Sequence, residues 1–422
     1  MYTVEDFEAY DLDTMVEIEL NLKDLPPELK DLEIISSAFR YTRDWRSSIH
    51  CISKSFLSTL EGLNGSVSLG SCFPSQEFLC VAQKYSSEDG SSFKFSPKSE
   101  PFLYGNPFSA SNARSIVING PSSFVQGRRL GWETEKATFE YTLFPEMRKI
   151  LDDKEKTSGL CIPTGELSVS FRDPSLVDHS LVWKALYQAS RVLTFASGIG
   201  SGVGHIELTN GTTDRFWLLG FSKFDRFPRQ SNWFDIEMID DFREFATAYH
   251  AFLEEEPPAL PLTYSSDFYR ASNSSRESSI TLSLIASYSA LEILVHHILR
   301  DHAKWNADLL GRGKFSDRMR ACAAFIRLEA DPLEHANSLK GISKRFNNED
   351  GFTILSEVRN SIVHSDKTLK VNGLHMVELW VMCQWLVEVF TFYLIGYKGK
   401  MADRRRLRGW RGEGTKAVPI RF

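Results

Sequence analysis

Strand-type and helix-type text are segregated along this chain, and that segregation limits the fold more than any other feature of the sequence. Seven short segments before residue 222 are rich in β-branched or aromatic residues: Val16 to Leu20, Phe78 to Ala82, Ser115 to Ile118, Thr138 to Phe144, Glu166 to Phe171, His205 to Leu208 and Arg215 to Leu219. Turn signals such as Asn119-Gly120-Pro121 and Asn210-Gly211 separate them, the punctuation expected between strands. One segment departs from the pattern. Leu181, Ala185, Gln188 and Val192 to Phe195 follow helical spacing between Asp178 and Ala196, ahead of a glycine stop at Gly198, so a single helix is expected to pack on the sheet. After Trp233 the apolar residues recur at spacings of three and four. The fold class expected is α+β, a β-rich N-terminal domain followed by an all-α bundle.

A helical stretch runs from Trp233 to about Leu253 and ends in Glu254-Glu255-Glu256-Pro257-Pro258-Ala259-Leu260-Pro261. Three prolines in five residues forbid continuous helix there. The boundaries that follow are a β-rich sensing or recruitment domain over 1–235, a helix and Pro-rich linker over 236–263, a bundle over 264–397 and a basic tail over 398–422. Tyr264 to Ser279, dense in serine and asparagine, reads as a loop leading to a helix cap at Ser278 or Ser279. Beyond it, Ile280, Leu284, Tyr288, Leu291, Leu294, Val295 and Ile298 paint one apolar face from Ile280 to Arg300. Partner helices are expected near Arg318 to Leu328, Phe352 to Val358 and Leu374 to Ile395, the last apolar nearly all round and therefore central.

The length of 422 residues excludes a single small module, and 42% hydrophobic with 25% charged residues excludes a largely disordered chain. A net charge of −6 gives no global positive field, so any basic site is local. The six cysteines, Cys51, Cys72, Cys80, Cys161, Cys322 and Cys383, form no Cys-x-x-Cys pair and are too few for a disulfide scaffold. A reducing cytoplasm is the expected location. The start Met1-Tyr2-Thr3-Val4-Glu5-Asp6 lacks the pattern of a signal peptide. Leu379 to Ile395 is apolar but short for a membrane span and carries Gln384 and Glu388; it is expected to be a buried helix, with no membrane partner.

Between the third and fourth long helices of the bundle stands Glu357-Val358-Arg359-Asn360-Ser361-Ile362-Val363-His364-Ser365-Asp366. Here the chain resembles the HEPN superfamily, whose hallmark is an arginine, a polar residue after it and a histidine a few positions on. Arg359, Asn360 and His364 match it. Ser289-Ala290-Leu291-Glu292-Ile293-Leu294 and the apolar last helix are similar to the branch called Apea-like HEPN. The resemblance covers roughly Ile280 to Tyr397. It implies a HEPN-like helical bundle with metal-independent endoribonuclease activity and no cofactor, dimeric, in antiviral defence or a toxin system, with tRNA among the RNA substrates to consider.

The chemistry asks for these residue types on its own account. Cleavage of RNA without a metal uses the substrate's 2′-hydroxyl as nucleophile, so the protein must move protons near neutral pH and stabilise a phosphorane-like charge. His364, with an ordinary pKa of about 6.5, suits the first task. Arg359, always charged and able to grip two phosphate oxygens, suits the second, and Asn360 can orient the phosphate or the ring. On a straight helix a five-residue step leaves the two side chains about 140° apart. Either the motif straddles a helix end, or a second subunit completes the site. A plain structural reading also stands, in which the pair caps a helix and binds carboxylates such as Glu357 and Asp366. An inactive HEPN module that binds RNA or protein as a dimeric scaffold is the functional alternative.

Glu292 lies one position off the apolar stripe, either paired with Arg359 or half-exposed on the helix flank. His296, His297 and His302 match no zinc template. Gly198, Gly200, Gly202 and Gly204 alternate, but they follow a helix instead of opening one, so a helix-to-strand connection is expected and not a phosphate loop. Trp217 and Trp233 are expected in the core. Residues 398–411 hold seven basic residues, Lys398, Lys400, Arg404, Arg405, Arg406, Arg408 and Arg411, against Asp403 alone. Beside Trp410 they can bind RNA phosphates and stack a base, or form a solvated tail, or a strap salt-bridged to the β-rich domain. Of these, Arg404, Arg405, Arg406 and Arg408 are the RNA-binding candidates.

Overall fold

The computed structural model describes residues 109–122, 127–144, 161–173, 177–210, 215–226, 232–235, 238–255, 259–342, 346, 350–364, 371–406 and 414–421, together with the backbone of the strands before residue 105. Two antiparallel sheets occupy the N-terminal half. The first contains β1 (Ile18–Glu19), β2 (Ile34–Tyr41), β3 (Ser47–Ser53), β4 (Gly65–Leu69), β5 (Gln76–Ser87) and β6 (Gly90–Pro97), in the order β1-β2-β3-β6-β5-β4. The second contains β7 (Phe102–Tyr104), β8 (Asn112–Ile118), β9 (Arg129–Glu133), β10 (Ala137–Leu143), β11 (Pro163–Phe171), β12 (Gly202–Thr209) and β13 (Arg215–Phe221). Its order is β7-β13-β12-β8-β11-β10-β9. All seven segments expected to be strands fall on strands. β2, β3, β4, β6, β7 and β9 were not expected; β3 and β4, SSIHCIS and GSVSL, carry the serines and glycines of turns.

Helix α1 (His179–Ser197) packs on the second sheet as expected, capped by Asp178 and ended by Gly198 at φ 77°. The glycine run is structural. Gly198 takes the left-handed conformation that only glycine adopts freely, and a Cβ on Gly204 would stand 2.1 Å from the Gly220 carbonyl oxygen. Strand β12 must therefore lie against β13 without a side chain there.

Helix α2 (Ile239–Glu254) ends at the prolines, and α3 (Ala259–Ser275) begins directly after them. This corrects the loop expected over Tyr264 to Ser279. Pro261 sits in the first turn, where its missing N–H breaks no helical bond. The serines that suggested a loop are satisfied inside the helix or across to its neighbour: Ser275 Oγ donates to the Ala271 carbonyl at 2.8 Å, and Ser272 Oγ donates to the Ser283 carbonyl at 2.7 Å. Small, hydrogen-bonded side chains let α3 lie close along α4 (Ile280–His297), which Ser279 caps by accepting from Leu282 N. A single π-helical turn over Ile298–His302 extends α4. There follow α5 (Ala307–Arg312), α6 (Phe315–Phe325), α7 (Asn337–Ile342), α8 (Gly351–Val363) and α9 (Gly373–Ile395), then a hairpin of β14 (Lys400–Ala402) and β15 (Thr415–Ala417) in the basic tail.

The apolar core does not stop at the prolines. The Phe195 ring of α1 lies 5.0 Å from Tyr269 on α3 and meets Phe392 on α9 edge-on at 6.1 Å, and it also packs on Trp233, Phe245 and Tyr249. Trp233 is fully buried, as expected of a core aromatic. Among the described residues two helices, Ile280–His302 and Gly373–Ile395, are long and apolar enough to cross a membrane by length and composition, and 61% and 83% of the apolar 18-residue window of each is buried inside the structure.

Candidate active site

Helices α4, α6 and α8 bring Glu292, Arg318 and Arg359 within electrostatic reach of one another. Asp350 caps α8 by accepting from Thr353 N, and the helix stops at Val363, so His364 has left it: its backbone is extended (φ −106°, ψ 113°) and its N–H donates to the Asn360 carbonyl at 2.9 Å. The motif thus straddles a helix end. This is the first of the two arrangements the spacing allowed.

Arg359 is held by two contacts. Its guanidinium carbon lies 5.1 Å from the centroid of the Tyr288 ring on α4, and its Nη1 donates to Asn360 Oδ1 at 3.3 Å. Tyr288 is fixed in turn by Ser356, whose Oγ stands 3.2 Å from the phenol oxygen. Among the described residues Arg359 has no ion pair, and Glu357, one of the two carboxylates considered for it, is exposed; Asp366, the other, lies outside the described residues. A guanidinium resting on an aromatic face with most of its donors unspent is suited to take an anion.

Glu292 is half-buried one turn along from Tyr288. Burial raises its carboxyl pKa, and the charges of Arg359 and Arg318 pull it back without cancelling the rise. It therefore acts on Arg359 through space and forms no close ion pair with it. Burial likewise pushes the Tyr288 phenol up to about 12, partly offset by the Ser356 hydrogen bond. Arg318, on α6, is a member of this face that the sequence did not single out. Its Nη1 donates to the Leu310 carbonyl at 3.1 Å, its guanidinium lies 5.3 Å from the Phe315 ring, and its buried Nε has no partner among the described residues. Only the contact between α6 and α4 reveals it. His364 is exposed at the rim.

The basic tail is not the surface expected. Arg404 and Arg405 are buried. Arg404 Nη2 lies 2.9 Å from Glu388 on α9, and Arg405 pairs with buried Asp403 at 2.9 Å while its guanidinium carbon sits 3.5 Å above the Trp385 ring. Burial alone would raise the Asp403 carboxyl, but hydrogen bonds and charges from Arg405 and Lys416 outweigh it and hold it well below the usual carboxylate range. Arg404 and Arg405 are thus structural and withdrawn from RNA. The tail is a strap, tied to the bundle itself and, through Ala402 N to the Trp233 carbonyl at 2.8 Å, to the stretch before α2. Arg406 is exposed, and Arg408 lies outside the described residues. Helix α9 is buried over most of its length by its own chain, with Leu374 in its first turn exposed.

Residues 262–416 match the family model of the YopA C-terminal domain, a span that is less than half of the chain. It runs from the first turn of α3 to β15, so the matched unit takes in both ends of the Arg404 contacts. No curated protein and no solved structure matches the chain.

Proposed function

We propose that the helical unit is a metal-independent endoribonuclease of the HEPN type, and that it cleaves RNA by attack of the substrate's own 2′-hydroxyl. The observation that carries this reading is the state of Arg359: stacked on Tyr288, steadied by Asn360, and without an ion pair among the described residues, beside the exposed His364. Arg359 grips the scissile phosphate and stabilises the phosphorane charge. His364 moves the proton. Asn360 ties the two, its side chain accepting from Arg359 and its carbonyl from the His364 amide. Arg318 supplies a second positive charge on the same face, and Glu292 offsets part of the charge of the two cations when no phosphate is present. The reading includes a cytoplasmic homodimer in an antiviral or toxin-like setting, with the N-terminal sheets receiving the trigger. Val363, next to His364 in the chain, and Leu374, at the start of α9, are 48% and 59% exposed and are the apolar surface a second copy would cover.

A second reading, an inactive module that binds RNA or protein, draws on the same exposed His364, whose ring has no hydrogen bond to orient it among the described residues. The test is incubation of the full chain with tRNA and total RNA in EDTA, beside His364→Ala. Fragments ending in 2′,3′-cyclic phosphate from the parent alone support cleavage. Binding without fragments from either form supports the second reading.

A further inference from the structure

Away from that face, a cavity of about 60 Å³ opens where the turn between β9 and β10 meets one face of α1 and the end of α2. Its walls include Lys136, Phe139, Leu181, Lys184, His250 and Glu254.

His250 is the informative wall. Its side chain is 1% exposed, and its Nδ1 accepts a hydrogen bond from Trp132 Nε1 at 3.1 Å. Burial, helped by the charge of Lys136, pushes its pKa down to about 4, so near pH 7 the ring carries one proton. Because Nδ1 is accepting, that proton is on Nε2. The Nε2–H has no hydrogen-bond partner among the described residues, and the edge of the ring left over by Trp132 lines the cavity. The cavity therefore has one ring donor on its wall that the protein itself leaves available to a guest.

The surroundings say what would satisfy it. Lys136 stands 3.4 Å from Glu254, so their charges balance. Lys184 has no ion pair among the described residues and leaves the cavity one positive charge in excess. Phe139 and Leu181 make the remaining wall apolar. A volume of about 60 Å³ holds about four waters at roughly 15 Å³ each, which limits the guest to a few heavy atoms. We propose that this cavity binds a carboxylate carried on a short aliphatic chain, the carboxylate accepting from His250 Nε2–H and pairing with Lys184 while the chain lies on Phe139 and Leu181. A free short-chain acid and the C-terminal carboxylate of a peptide share this chemistry.

The test uses the full chain, calorimetric titration and the 15N resonances of the histidine rings, with the His250 signal assigned by its loss in His250→Gln. The probes are acetate, butyrate, inorganic phosphate, and a tetrapeptide ending in valine beside its C-terminal amide. Butyrate is expected to bind, to move the His250 Nε2–H signal, and to bind more tightly than acetate or phosphate. Lys184→Met, a change at an exposed side chain, should weaken butyrate about tenfold. The peptide acid binding more tightly than butyrate, and its amide not at all, assigns the site to chain ends; butyrate binding more tightly than the peptide assigns it to free acids. Phosphate binding as well as butyrate, an undisturbed His250 signal, or full affinity in Lys184→Met would overturn the proposal.

Discussion

Arg404 Nη2 and the Glu388 carboxylate stand 2.9 Å apart with side chains 2% and 0% exposed. Tyr269 completes the cluster, its hydroxyl donating to Glu388 Oε1 at 2.6 Å and its ring lying 5.7 Å beneath the guanidinium. Taking two charges out of water is costly, and each is tolerable only because of the other. Arg404→Ala should therefore destabilise the chain by about 3–5 kcal/mol, read from urea unfolding. Arg404→Met together with Glu388→Leu should recover most of that loss. Equal stability of Arg404→Ala and the parent would show that the pair holds nothing.

The planar fork of Arg359 makes the substitution by lysine informative. Lysine keeps the charge but neither lies flat on Tyr288 nor offers two parallel donors. Arg359→Ala and His364→Ala should each lower single-turnover cleavage in EDTA by about a hundredfold or more, and Arg359→Lys should recover little of it. Full activity in Arg359→Lys would mean that charge alone suffices.

Phe195 tests whether the prolines at 257, 258 and 261 divide the protein. Its ring touches residues on both sides of them, so Phe195→Ala should cost about 3–5 kcal/mol and lower a single, shared unfolding transition. Two separated transitions in thermal unfolding of the parent chain would contradict a common core.

What was legible in the sequence follows a physical divide. Apolar periodicity reports which face is buried, so the strands around Ser115 and Glu166 and the helices at Ile280 and Leu374 were readable, as was the cap at Ser279. Serine is ambiguous, because its hydroxyl serves a turn or a helix equally well. That ambiguity hid α3, where Ser272 bonds across to α4, and the backbone ladder of β3. In the site, Arg359, Asn360 and His364 are close in the chain and formed a visible pattern. Arg318 joins them only through helix packing, and no spacing announces it. The arginine run at 404–406 misled for the same reason: charge is visible in a sequence, but the carboxylates that bury it, Glu388 and Asp403, are identified only by the fold.

Arg318 and Arg405 separate binding from structure. Arg318→Gln should weaken RNA binding and make its dependence on log salt shallower by about 0.7 on single strands or about 0.9 on duplex, the loss of one phosphate contact. Arg405→Gln, a change at a buried ion pair, should lower stability and leave that slope alone. An unchanged slope in Arg318→Gln would remove it from the RNA face.

Two buried histidines set the behaviour in acid. Burial pushes His205 and His250 down to about 4, with the charge of Lys136 adding to the effect at His250. In the unfolded chain each imidazole takes up a proton near 6.5, while the folded chain refuses it until about pH 4. The unfolded state therefore binds more protons across that window, and stability falls as the pH drops from about 6.5 to about 4. The full loss is at most about 3 kcal/mol for each ring. His250→Gln should remove its share, so the difference in unfolding free energy between pH 7 and pH 4.5 should be smaller in the variant than in the parent. The variant at His205 must respect its backbone, which has φ 47°; asparagine tolerates that region, making His205→Asn the fitting change. The carboxylates contribute equally to parent and variants and cancel in the comparison. If both variants keep the full acid sensitivity of the parent, these two imidazoles are not its source.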